Sequence, residues 1–188
     1  SEKRFYQKVR DLFALSSDYD VTDKATQMFF ADTQNKLLFA ITHKTAAELI
    51  VSRANENQPN MALKSWKGSV VRKQDIYIAK NYLTEDELDS LNRFVTVFLE
   101  TAELRAKNRQ DITMDFWREN IDRIIEFNDK KLLSHKGTVS NAQMKKMVEA
   151  MYEAFNGKRK TLEAIDADGQ DLNELEQLEE SIKSRKPT

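Results

Sequence analysis

The chain has no cysteine, four glycines, two prolines and two histidines among its 188 residues. Without cysteine there is no disulfide framework, no thiolate metal site and no cysteine nucleophile, so the fold rests on packing alone, which suits a reducing cytoplasm. The four glycines stand apart at Gly68, Gly137, Gly157 and Gly169, which excludes a glycine-rich phosphate loop and the dinucleotide fingerprint. So few turn formers are too scarce for an all-β domain, whereas Lys, Glu, Leu, Ala and Arg are plentiful. His43 and His135 fall in no metal-ligand spacing, and neither a metal nor a cofactor is read from the chain. No apolar run reaches the roughly 18 residues needed to cross a bilayer, and the first residues lack the apolar stretch of a signal peptide. A cytoplasmic location without membrane attachment is expected. The formal charge of −1 excludes the gross basic excess of a nucleic-acid coat, so any electrostatic function must be local. A start at Ser1 rather than methionine leaves room for a partner domain upstream.

The apolar periodicity predicts a mainly α, multi-helix compact domain over 1–157, with an acidic loop and helix over 158–188. The first helix runs from Ser1 to Leu15 on Phe5, Val9, Leu12 and Phe13. A second, capped by Thr22, runs through Ile41 and buries Ala25, Phe29, Leu37 and Ala40. Three capping boxes follow, Thr45 to Glu48, Thr84 to Glu87 and Ser140 to Gln143, in which a hydroxyl and an acid or amide satisfy each other's orphan backbone amides. Between the first two boxes the pattern fails, with a small β-hairpin near 62–72 and a short helix from Asp75 to Asn81. The second box opens a long helix whose spine is Leu88, Leu91, Val95, Phe98 and Ala102. Thr113 caps another that turns Trp117, Ile121, Ile124 and Ile125 inward. The third box opens a helix carrying Met144, Met147, Val148, Met151, Tyr152 and Phe155, and Gly157 is placed to end it. From Thr161 to Glu180 there are eight acidic residues and no basic one. Leu172, Leu175, Leu178 and Ile182 make this last stretch a helix that docks loosely or oligomerises, with 186–188 as a frayed end. Asp166 to Asp171 alternates carboxylates like a calcium loop, but its glycine stands in the wrong register and a helix cap at Asp171 is the simpler account.

Two groups of residues carry the functional candidates. Asn35, Lys36, His43, Glu48 and Arg53 would form a pocket for a phosphorylated or nucleotide substrate if the fold brought them together, with Glu48 or Asp75 orienting His43 as a base. Lys64, Trp66, Lys67, Arg72 and Lys73 interleave cations with an aromatic ring, as a partner surface or a phosphate backbone would require. The plainer reading is a solvated loop with Trp66 folded over the core. The acidic tail could cover that loop within the chain or between subunits.

Several strings then carry a resemblance. The start from Ser1 to Asp11, Gln34-Asn35-Lys36, the Thr45 box with Arg53-Ala54, Pro59-Asn60-Met61, Trp66-Lys67-Gly68, and Ile78 to Leu83 with Leu91-Asn92-Arg93 closely resemble the C-terminal region of RhuM-type bacterial virulence-associated proteins, from Ser1 to about Phe155. That resemblance implies an association with virulence loci, prophages and mobile elements rather than a defined activity. It also implies an N-terminal DNA-reading segment outside this chain, through which nucleic acid would be engaged. Some relatives join that segment to a Fic-type AMP-transferring domain, but His43 is followed by Lys44-Thr45-Ala46 and not by the Fic-type string. Leu38 stands where the family often has histidine, and Ala62 and Lys64 stand where glycine and threonine are common. The resemblance implies a regulatory or interaction domain acting through a homo-oligomer or a protein partner. An enzyme at the Asn35 to Arg53 group and direct nucleic-acid binding through the 60–80 basic region are the alternatives.

Overall fold

In a computed structural model, residues 7, 10, 11, 13–20 and 22–184 are described. Phe5, Val9 and Leu12 of the expected first helix, and the 186–188 end, lie outside them. Arg10, Asp11, Phe13 and Ala14 are helical. Five α-helices follow among the described residues: α1 (Lys24–Thr42), α2 (Ala46–Arg53), α3 (Glu85–Lys107), α4 (Met114–Phe127) and α5 (Asn141–Ser184).

Local chemistry sets most of the boundaries. Thr22 is captured by Asp20, to which its amide and hydroxyl both donate at 2.8 and 2.7 Å. Asp23 therefore caps α1, accepting from the Thr26 amide at 3.2 Å. Ala25 is exposed, and α1 buries Thr26, Phe29, Thr33, Leu37, Leu38 and Ala40 instead. The buried Thr33 is affordable in apolar surroundings because its hydroxyl donates to the Phe29 carbonyl at 2.8 Å. All three capping boxes form, each with its reciprocal pair of hydrogen bonds.

The core gathers around Trp117, which is fully buried. Phe13, Phe98 and Phe116 pack about its indole with ring centroids 6.1, 6.2 and 5.0 Å away, in the edge-on geometry aromatic pairs prefer. Leu91, Phe94, Val95, Phe98 and Ala102 form the buried seam of α3, with Leu88 at its half-buried start. Helix α2 packs between α5 and the turn at Ala79–Tyr82, and so holds the C-terminal helix against the 55–83 segment.

The 62–81 segment and the C-terminus both depart from what the sequence suggests. Residues 62–72 form no hairpin, and no strand occurs among the described residues. The amides a ladder would need are taken elsewhere, since Lys64 and Ser65 both donate to the Asn81 carbonyl, at 2.7 and 3.2 Å. Asp75 to Asn81 is likewise two 3-10 turns, Asp75–Tyr77 and Ala79–Tyr82, separated by an extended Ile78. Helix α5 runs unbroken through Gly157, Gly169 and Asp171, so neither the glycine stop, the acidic loop nor the Asp171 cap exists. A glycine inside a helix costs about 1 kcal/mol, which the good helix formers around it offset. Helix α5 is also anchored just beyond Gly157. The Arg159 guanidinium donates to the Val71 carbonyl at 3.0 Å and to Asn156 at 2.6 Å, and Lys158 reaches Asn57 at 2.7 Å.

Candidate functional site

The first group of candidates lies around the two ends of α2. Asn35 turns its side-chain carbonyl to the Ala46 amide at 2.9 Å, satisfying one of the orphan donors of α2. Glu48 closes the Thr45 box with one oxygen, accepting from the Thr45 amide at 2.8 Å. Its other oxygen accepts from the amide and hydroxyl of Thr138 at 2.6 and 2.9 Å. Partial burial pushes the Glu48 carboxyl up, but the amides and hydroxyls of Thr45 and Thr138 outweigh it and hold the group at about 2. Next to Thr138, Gly137 adopts φ +84°, and a Cβ there would lie 2.9 Å from the Thr45 methyl. Glycine lets the connector lie flush on the start of α2, and Glu48 clips it there.

Beside this clip is an open cleft of about 430 Å³ that holds both histidines. Phe39 stands between them, edge-on to the His43 and His135 rings with centroids 6.1 and 5.7 Å away. His135 Nδ1 accepts from the Gly137 amide at 2.9 Å. His43 ends α1 in the left-handed region at φ 58°. Neither expected orienting group serves it. Both Glu48 oxygens are engaged, and the Asp75 carboxylate accepts from the Arg72 amide at 2.8 Å.

The other pocket candidates point elsewhere. Lys36 pairs with Asp122 at 2.8 Å and ties α1 to α4. Arg53 forms a two-pronged pair with Glu87, at 2.6 and 2.7 Å, and also donates to the Tyr82 carbonyl at 2.8 Å. The Arg53 guanidinium in turn holds Glu87 down at about 2. Of the five, only His43 and Glu48 line one cleft. Among the described residues no three acidic or histidine side chains converge as a metal site would need.

The second group shares one loop whose backbone is fastened from within. Asn60, Met61 and Ala62 take φ of 54, 58 and 63°, a left-handed run that is costly for residues with a Cβ. It coincides with a fully buried Met61. The buried Asn81 donates to the Asp75 carbonyl at 2.9 Å, and Tyr82 donates to the Ile76 carbonyl at 2.8 Å. Lys64, Lys67 and Arg72 are exposed on this frame, and among the described residues none of them has a salt-bridge partner. Lys73 lies 3.7 Å from Glu149 of α5. Trp66 packs half-buried against the core, and Val70 in the same loop is 43% exposed. Tyr77 donates to Glu149, and burial together with that carboxylate pushes its hydroxyl up to about 12. Lys80, counted with this basic stretch in the sequence, is buried and not part of the surface.

Sequence reasoning missed the framework: Asn81, Thr138, Glu149 and Arg159. Gly137 was the one available signal, as an isolated glycine in a polar connector. The model of a family described as "Virulence protein RhuM family" matches residues 1–163. No curated protein and no solved structure matches the chain.

Proposed function

We propose that this chain, which belongs to the virulence protein RhuM family, is an intracellular interaction and regulatory domain that works by self-association through the 60–80 loop. The observation that carries this reading is the combination of a backbone locked by Asn81 and Asp75 with side chains left outside it. Lys64, Lys67, Val70 and Arg72 are all exposed on this one fastened loop, and a loop already held in place loses little entropy on docking. Direct nucleic-acid binding would use the same cations but is less well served. Trp66 is packed against the core rather than free to stack on a base, and Glu149 lies beside Lys73. No observation favours an enzyme, because Asn35, Lys36 and Arg53 are engaged in structural contacts outside the histidine cleft.

Light scattering coupled to size exclusion tests the proposal. A defined oligomer is expected, and Lys67→Glu with Arg72→Glu should weaken it. A strict monomer, or an oligomer indifferent to both changes, overturns the reading. A parallel salt-dependent titration with single-stranded DNA should show no binding comparable in strength to the self-association.

A further inference from the structure

The part of α5 beyond Lys160 leaves the body of the protein. Every described side chain from 161 to 183 is exposed. The apolar ones are no exception, with Leu162, Ile165, Leu172, Leu175, Leu178 and Ile182 between 56 and 67% exposed. At 1.5 Å per residue, this stretch reaches about 35 Å outward. Such a large apolar content left in water marks a surface made to be covered.

Charge indicates what covers it. Residues 161–188 hold eight carboxylates and three cations, a net −5, and since the chain totals −1, residues 1–160 carry +4. The unbroken helix cannot bend the acidic stretch back onto its own loop, so the complement must come from another molecule. A second extension is a poor match. Asp168, Asp171, Leu175, Leu178 and Ile182 follow one another at spacings of three and four, on one side of the helix. Pairing that side with itself would press carboxylate against carboxylate and strip both of water.

From these features we infer that the acidic extension of one copy docks on the 64–73 loop of a second copy. Asp168, Asp171 and Glu179 would face Lys64, Lys67 and Arg72, while the leucines cover Val70. The loop lies at the root of the extension, where Arg159 holds the Val71 carbonyl at 3.0 Å. Two copies could therefore exchange extensions reciprocally and close as a two-fold pair. This rests on the proposed role of the loop and names what occupies it.

Sedimentation velocity on the full chain tests the exchange with two charge-reversed variants, one carrying Lys64→Glu, Lys67→Glu and Arg72→Glu, the other Asp168→Lys, Asp171→Lys and Glu179→Lys. All six positions are exposed, and far-ultraviolet circular dichroism checks that helix content is kept. The unaltered chain should form an oligomer that dissociates as salt is raised. Each variant alone should associate about tenfold or more weakly, and an equimolar mixture should restore the original species, because each acidic surface then meets a basic one. If reversal of the extension leaves association intact while reversal of the loop abolishes it, the loop keeps its role and the extension is not its partner. If the loop reversal has no effect, both readings fall. Failure of the mixture to associate, with both variants folded, also overturns the exchange.

Discussion

Leu91 and Leu178 both lie in helices rich in carboxylates, yet Leu91 is 2% exposed and Leu178 60%. In α3 the apolar residues face helices that return from elsewhere in the chain, and α1 covers that seam. In α5 the same residue types continue past the last element that could meet them. Periodicity therefore specifies a helix and its apolar face in both regions, while only the rest of the fold decides whether that face is covered. The family match ends at residue 163, close to where the side chains of α5 lose their cover. The body is held by its own core, whereas the described side chains of the extension are left uncovered by the rest of the fold.

The largest effect that would sharpen this contrast comes from the centre of the body. Trp117→Ala removes a fully buried indole packed by three phenylalanines and should cost about 3–5 kcal/mol in urea unfolding. A loss as small as that of a surface change would mean the body lacks the single core described.

A middling effect is expected at the clip between α2 and α3. Arg53→Ala leaves Glu87 half-buried without its cation and should cost about 1–3 kcal/mol at neutral pH. Glu87 sits at about 2 in the folded chain against an ordinary value of 4.5, chiefly through Arg53. A carboxyl held low contributes stability that is complete above its unfolded value and disappears as pH falls through the folded one. Stability should therefore decline between about pH 4.5 and 2 in the unaltered chain, and Arg53→Ala should flatten that decline. Thermal melts across the range would show it, and an unchanged acid profile would contradict the assignment.

The smallest effect belongs to the extension. Leu175→Gln should shift the unfolding of the dilute chain by no more than about 0.5 kcal/mol, because its side chain touches little that unfolding would expose. A cost of core size would place the extension inside the cooperative unit.

Much of the fold was legible because its signals are local. Thr45, Thr84 and Ser140 each lie three residues before their capping partner, and all three boxes form. The hairpin at 62–72 was misread because what fixes that loop is the carbonyl of Asn81, which no local pattern announces. Gly157 was misread because glycine suits a helix stop, and only the anchors of Lys158 and Arg159 on Asn57 and Val71 show that the helix continues. Lys64, Lys67, Arg72 and Lys73 are exposed, as their charge alone leads one to expect. The roles of Glu48 and Arg53 were not legible, because their partners Thr138 and Glu87 lie 90 and 34 positions away in sequence. Pairing over such distances is a property of the packed chain, and it engages these two pocket candidates in contacts that hold the fold together.

The central claim, that a self-sufficient body carries an extension completed by a second copy, is tested most directly by amide hydrogen exchange on the full chain over a series of concentrations. Residues in α3 and α4 should be protected at every dilution. Residues 161–184 should exchange rapidly when dilute and gain protection on concentration, in step with residues 64–73. Protection of the extension that is independent of concentration, or that rises without any change in the loop, would contradict the account.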